Sequence, residues 1–386
     1  MPKTGIACNL DINILQAALP LLETGKIECL EWSFDAIHTL DQIPDWFTEL
    51  LHAFSKEDSL IGHGVFFSIF SGNWKPEQQN WLAQLSVLCN QYRFSHISEH
   101  FGYMTGADFH TGAPIPFPLN HNTYLLGKDR LNRIADVCQC PVGLENLALV
   151  FSEDDVKRQG EFLEKLLSAV SGFLILDLHN LYCQAENFKL DHEKIMGWYP
   201  LELVREIHVS GGSWESSATN PGRKIRRDTH DGTVPQPVLN YIKSIWPKLP
   251  NLKYAILEQL PLALASEIEK ENFRADYEKL CHEMAWVHNQ KMDLKTSRDF
   301  LQETMPDLSG LPLEFPELFN DQRFVSTLLE NEPDIETLLH KLKNKLGNTD
   351  WQVESWDLSM LETASLIARK WKSGLPGVLK AAPTKS

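Results

Sequence analysis

Positive charge is what this chain has least of: 36 Lys and Arg against 52 Asp and Glu leave a formal net charge of -16 at pH 7. A phosphate backbone is held by concentrated positive charge, so nucleic acid is not an expected partner. The one compact basic run, RKIRR at Arg223–Arg227, reads either as a solvated loop or as a seat for a carboxylate-rich substrate. Cysteine is sparse and unpaired in pattern: Cys8, Cys29, Cys89, Cys138, Cys140, Cys183 and Cys281 are odd in number and scattered. That excludes a disulfide framework and suits free thiols in a reducing compartment. Cys138-Gln139-Cys140 is too tight for the usual zinc spacing and has no second pair. Long apolar runs are missing as well. No segment approaches transmembrane length, and the start, MPKTGIACNLDIN, has no apolar core of a secretory signal. A cytoplasmic protein without a membrane partner is therefore expected. Internal repeats and low-complexity tracts are also lacking.

What is present is the composition of an ordinary globular protein, 43% hydrophobic and 23% charged over 386 residues. A strand-like run followed by a polar loop and an amphipathic helical stretch recurs about eight times. The strand candidates are Gly5–Leu10, Ile27–Phe34, Leu60–Phe67, Phe94–His100, Val142–Leu147, Phe173–His179, Val204–Ser210 and Lys253–Leu260. Eight such units in this length predict an α/β fold, a closed (β/α)8 TIM-type barrel over residues 1–289. A doubly wound open sheet is the competitor, but it draws its ligands to one switch point rather than from nearly every strand. From about residue 290 the rhythm changes: a segment with Pro306, Pro312 and Pro316 precedes three helical stretches and no strand. Residues 290–386 read as a helical C-terminal appendage whose last seven residues are frayed.

Polar residues collect where the strand candidates end. His63, His100, Glu145, Asp177 and Glu258 lie at or near the ends of five of them, and Asn180 follows the sixth. The seventh carries His208 and is followed by a long polar loop containing Asp228 and His230. Several sit between apolar neighbours, as Asp177 does between Leu176 and Leu178, so strand alternation turns them toward the barrel axis. Strand carboxyl ends converge at one mouth of such a barrel. Several carboxylates there raise one another's pKa, and divalent cations relieve the repulsion. Imidazole mixed with carboxylate suits iron, manganese or zinc, and so many donors exceed the needs of one ion. Taken singly, each residue also reads as a structural group: His63 as a packing histidine, Glu145 as a cap for a backbone amide. Glu31 is in phase to accept a hydrogen bond from a histidine, Glu99 is out of phase with His100, and His179 reads as a hydrogen-bonding residue. If Asp228 to His230 runs extended, the two side chains point to one side.

The ordered set SEH, GLEN, LDLHNLY, EIHVSG, DTHD and LEQ resembles the multinuclear non-heme iron-dependent oxidative enzymes, over most of Gly5 to about Leu260. The resemblance implies a barrel with two or three iron ions that uses dioxygen to oxidise a ribosomally synthesised precursor peptide, usually at cysteine. It also implies that His63, His100, Glu145, Asp177, His208, Asp228, His230 and Glu258 bind metal, with Asn180 a further pocket position. Many members of that family work with a separate partner protein that presents the peptide. Here the appendage either takes that place or braces the barrel, with bracing the preferred reading. The segment FGYMTGADFHTGAPIPFPLN after SEH and the loop from Gly211 to Arg227 depart from the family's pattern, which leaves substrate identity open. A redox-inert zinc or manganese enzyme on a similar barrel, such as a sugar isomerase or phosphodiester hydrolase, and a non-catalytic peptide-binding protein are the alternatives.

Overall fold

In the computed structural model, residues 1–36, 43–290, 298, 300–302 and 306–374 are described. The frayed tail expected at residues 380–386 lies outside them, and so do residues 304 and 305 of the connecting segment that carries Pro306, Pro312 and Pro316. The chain runs β1 (Lys3–Ala7), α1 (Ile12–Glu23), β2 (Cys29–Trp32), α2 (Asp45–Lys56), β3 (Leu60–His63) and α3 (Pro76–Gln91). Next come β4 (Ile97–His100), a ribbon of β5 (Tyr103–Met104) and β6 (Pro114–Ile115), α4 (His121–Cys138), β7 (Val142–Glu145) and α5 (Glu153–Ala169). Then follow β8 (Phe173–Asp177), α6 (Leu178–Phe188), α7 (His192–Met196), β9 (Val204–Val209), a hairpin of β10 (Trp214–Ser216) and β11 (Lys224–Arg226), and α8 (Gln236–Ile245). β12 (Tyr254–Leu257) and α9 (Glu267–His288) complete the barrel, and α10 (Pro316–Asn331), α11 (Ile335–Leu346) and α12 (Leu358–Trp371) follow.

Eight of these strands close into a parallel barrel in the order β1-β2-β3-β4-β7-β8-β9-β12, with β12 returning to β1. Parallel strands are buried on both faces, and the two faces here have different chemistry. Outward residues such as Leu30, Leu60, Leu144, Leu174 and Ile207 join one large apolar core with the helices. Inside the barrel a separate small cluster of Cys29, Ile61, Tyr254 and Ile256 forms a floor. The polar strand ends rise above that floor.

Local sequence sets the helix starts. Ser152 caps α5, whose first turn, Glu153-Asp154-Asp155, complements the helix dipole. Ser266 and Glu269 form a capping box on α9. β8 stops at Asp177, two residues earlier than the apolar run suggests, because the Asp177 carboxylate accepts the backbone N–H of Asn180 at 2.6 Å and starts α6 at once. His179 is therefore helical rather than the end of a strand.

The C-terminal helices sit on the loops at the mouth. The Phe315 N–H donates to Gly72 O at 2.6 Å, and the Gln322 amide bridges Gly72 N and Phe70 O on the loop after β3. A methyl group on Gly72 would lie 2.5 Å from the backbone nitrogen of Phe319, so the approach needs glycine. Among the described residues no helix is long and apolar enough to cross a membrane.

Candidate metal centre

Parallel register brings the expected residues side by side. His100 on β4 pairs with Glu145 on β7, and Asp177 on β8 pairs with His208 on β9. Glu145 Oε2 lies 3.2 Å from His63 Nε2 and 3.4 Å from His100 Nε2. His208 Nδ1 lies 3.6 Å from Glu145 Oε1 and 3.3 Å from Glu258 Oε2, and His230 Nδ1 lies 3.6 Å from that same Glu258 oxygen. Two sets of ligand atoms are mutually close enough to hold an ion: His63, His100 and Glu145, and Glu145, Asp177, His208 and Glu258. Glu145 belongs to both.

Each histidine is held by one ring nitrogen and leaves the other aimed into the mouth. His63 Nδ1 meets Ser98 Oγ at 2.8 Å, and His100 Nδ1 meets Gly64 O at 3.2 Å. His208 Nε2 is shared between Glu206 Oε1 at 2.8 Å and Glu31 Oε2 at 3.1 Å, and His230 Nε2 meets Asp228 Oδ2 at 2.9 Å. Fixing one nitrogen with a carboxylate or carbonyl is how a protein orients a ligating imidazole. The opposite atoms are buried without a hydrogen-bond partner: His63 Nε2, His208 Nδ1, His230 Nδ1, Glu145 Oε2, Asp177 Oδ2, Glu258 Oε2 and Asn180 Oδ1. Five of these stand only in imidazole–carboxylate contacts of 3.2–3.6 Å, and Asp177 Oδ2 and Asn180 Oδ1 each carry the roughly 1–3 kcal/mol cost of an orphaned buried polar atom, so a cation would satisfy the inward-aimed donors together. The donor set, imidazole with carboxylate and no thiolate, fits iron, manganese or zinc.

The loop after β9 supplies Asp228 and His230 by a route the sequence did not show. His230 has a left-handed backbone, with φ 50°, so the Asp228–His230 stretch is not extended. The two side chains meet through their own contact, and Asp228 Oδ1 also accepts His179 Nδ1 at 2.9 Å. Neither Asp228 nor His230 falls in the two ligand sets above; they flank them. The Gly211-Gly212 pair that opens this loop takes no left-handed conformation. Its role is close approach: a methyl group on Gly211 would lie 2.2 Å from Gly232 O, and one on Gly212 2.2 Å from Arg227 O. Asn180 Nδ2 donates to Asn146 O at 2.8 Å, which turns its side chain toward Glu145.

Electrostatics follow from burial and crowding. Burial opposes the charge of His63, yet Glu31 and Glu145 outweigh it and push the imidazole up to about 10. His208 and His230 are raised well above the ordinary range, against burial, by their carboxylate neighbours. Burial, with Asp228 and Glu145 nearby, raises Asp177 well above a normal carboxylate. Burial disfavours the Glu145 carboxylate too, but His208 and His63 prevail and hold it well below the usual value. Burial lowers His100 instead, and a cluster that keeps protons on His63, His208, His230 and Asp177 is one that a divalent cation would discharge.

The sequence reading missed an inner layer. Glu206, fully buried, shares the inward face of β9 with His208, and its Oε2 lies 2.9 Å from His96 Nε2. The signal was available, since Glu206 and His208 are two residues apart on one strand. Glu31 takes the acceptor position expected of it, and Glu31, Glu206 and His208 make a third close carboxylate–imidazole set, deeper than the others. Glu99 points away from the mouth and accepts the backbone N–H of Phe67 and of His100. Above the centre opens a cleft of about 260 Å³ lined by His63, His100, Glu145, His230 and Glu258 at its base. Its walls include Leu147, Leu149, Pro114, Arg226 and residues of α12.

Among solved structures, an endonuclease IV from Thermus thermophilus is similar at 13% identity and a TM-score of 0.45, over 73% of this chain and all of that one. An L-ribulose 3-epimerase is similar at 10% identity and a TM-score of 0.46, over 77% of this chain and all of its own. A UPF0276 protein of Shewanella sediminis (strain HAW-EB3) is 23% identical over 184 residues, 48% of this chain and 63% of that protein. One from Caulobacter vibrioides (strain NA1000 / CB15N) is 26% identical over 177 residues, 46% of this chain and 60% of its own. The matches thus span about three-fifths of those relatives' length. The family model of the RiPP precursor modification enzyme MbnB/TglH/ChrH matches residues 34–276, which is well over half of the chain and holds six of the eight barrel strands, and this chain belongs to that family.

Proposed function

We propose that the protein is an iron-dependent oxidoreductase that uses dioxygen to modify a ribosomally synthesised precursor peptide at cysteine. The observation that carries the reading is the sharing of Glu145 between two sets of inward-aimed donors. In this reading His63, His100 and Glu145 hold one ion, and Glu145, Asp177, His208 and Glu258 hold a second. His230, through Nδ1, and Glu258 would serve a third, with Asp228 behind the His230 ring. Bound ferrous ions would supply oxygen activation and would bind the substrate cysteine as thiolate. The chain's own groups do the rest. Ser98, Gly64, Glu206, Glu31 and Asp228 keep the four imidazoles aimed. Leu147, Leu149 and Pro114 exclude water from the cleft wall, and the open mouth admits a peptide.

The test is metal analysis and oxygen uptake on protein purified without oxygen and offered a cysteine-containing precursor peptide. Iron at two or three per chain, oxygen consumption that depends on the peptide, and a mass change in the peptide are expected. Zinc or manganese as the active metal with no oxygen uptake would replace this reading with a redox-inert enzyme. Peptide binding that survives chelation, with no mass change, would leave only a binding protein.

A further inference from the structure

The last helix of the appendage is a wall of the cleft. Met360, Thr363, Ile367, Lys370 and Trp371 all line it, and their spacing of three, four, three and one places them on one stripe of α12. The other side of α12 is committed: Leu361, Ala364 and Ala368 are buried, and Ser365 Oγ donates to Leu329 O of α10 at 2.8 Å. The stripe grades from buried Met360 to exposed Lys370, from the depth of the cleft to its rim.

α12 is also fastened to two loops at the mouth, residues 101–120 and 211–227. The Glu362 carboxylate accepts from Ser217 Oγ, Ala218 N, Thr219 N and Thr219 Oγ1, at 2.8–3.1 Å. Arg223 forks onto Asp357 at 2.7 and 2.9 Å. At the other end Trp371 O accepts the N–H of Gly112 at 2.8 Å. These loops and the appendage form one connected rim.

We propose that α12 selects the substrate, on the reading that this cleft is the peptide site. An apolar side chain of the peptide lies on Met360 and Ile367, and a peptide carboxylate pairs with Lys370. Two features favour this occupant: the α12 side of the cleft is apolar at depth, and its cations are graded by availability. Arg227 is paired with Glu215 and Arg226 is bonded to His179 Nε2 at 3.1 Å, whereas Lys370 stands exposed at the rim beside the Trp371 ring, 4.6 Å from its centroid.

The probe is a library of ten-residue peptides with one fixed cysteine and otherwise varied Asp, Lys, Leu and Gly, offered to iron-loaded protein without oxygen. Wild type is expected to enrich peptides carrying an acidic residue or free carboxyl terminus together with a leucine. Amidated copies separate the two carboxylate sources. Lys370→Glu should shift the preference from acidic to lysine-bearing peptides by at least about threefold. Ile367→Trp should remove the leucine preference. Unfolding midpoints and iron content equal to wild type in both variants exclude misfolding. Unchanged enrichment in both variants overturns the role of α12. No enrichment by wild type overturns both this role and the peptide reading of the cleft. Enrichment without a mass change once oxygen is admitted refutes the oxidative chemistry and leaves the role of α12 standing.

Discussion

Glu145→Gln separates one shared centre from a set of independent sites. Glu145 is common to the two donor sets, whereas His63 belongs to one and Asp177 to the other. A ligand lost from a set weakens binding by at least the roughly 10–100-fold seen when a supporting residue is removed. With free ferrous ion at 100 times the dissociation constant, each bound ion stabilises the fold by about 2.7 kcal/mol. A variant that releases both therefore forfeits about 5 kcal/mol of metal-dependent stability, and a variant that releases one forfeits about half. Unfolding entropy of about 2.1 cal/mol/K per residue over this chain makes each kcal/mol worth roughly 1 °C in Tm. Glu145→Gln should thus lower the metal-dependent rise in Tm by about 6 °C, against about 3 °C each for His63→Ala and Asp177→Asn. Asparagine can still cap α6 in the last of these, since it is as good an N-cap as aspartate. The assay is anaerobic calorimetry with and without ferrous ion, paired with metal counts after dialysis. A Glu145→Gln protein that keeps one ion at full affinity, or that loses no more than His63→Ala, would refute a shared carboxylate.

Metal affinity should rise with pH. The His63 imidazole sits at about 10 in the metal-free protein, raised against burial by Glu31 and Glu145, so an ion must displace its proton at neutral pH. Affinity for ferrous ion should climb roughly tenfold per pH unit for each proton released between about 6.5 and 10, more shallowly in His63→Gln. Equal slopes in the two proteins would count against it. The metal-free fold behaves oppositely: protonated His63 contributes fully below about 6.5, and that contribution is lost as pH rises through about 10. Gly212→Ala should lower metal uptake without altering a ligand, because its methyl group would meet Arg227 O at 2.2 Å and His179 Cε1 at 2.9 Å. Displacing that backbone costs about 1–3 kcal/mol. Gly310→Ala, with nothing within 4 Å and no left-handed backbone, is the control, and equal metal content in the two variants would show that the loop does not hold Asp228 and His230 in place.

Much of the barrel was legible because its signals are local. Apolar runs of strand length, punctuated by Ser152 and Ser266 at helix starts, mark the units, and a period of two assigns Asp177 and His208 to the inner face. Strand ends that must meet at one mouth then bring His63, His100, Glu145 and Glu258 together. The strand candidate at Phe173–His179 is too long because the apolar run carries no sign that the Asp177 side chain turns back to cap α6.

Chain order, strand period and the kinds of side chain at the strand ends were determined by the sequence alone, since each depends on neighbours within a few residues. The tertiary structure decided what depends on distant partners: that Glu145 stands between both donor sets, and that Glu206 and Glu31 fix one nitrogen of His208 so that the other faces the mouth. It also decided that His230 reaches the cleft through a left-handed turn, and that α12, far along the chain from the last barrel strand, forms part of the cleft wall. Hydrogen bonds and packing across such separations follow from register and barrel closure, which spacing along the chain does not encode.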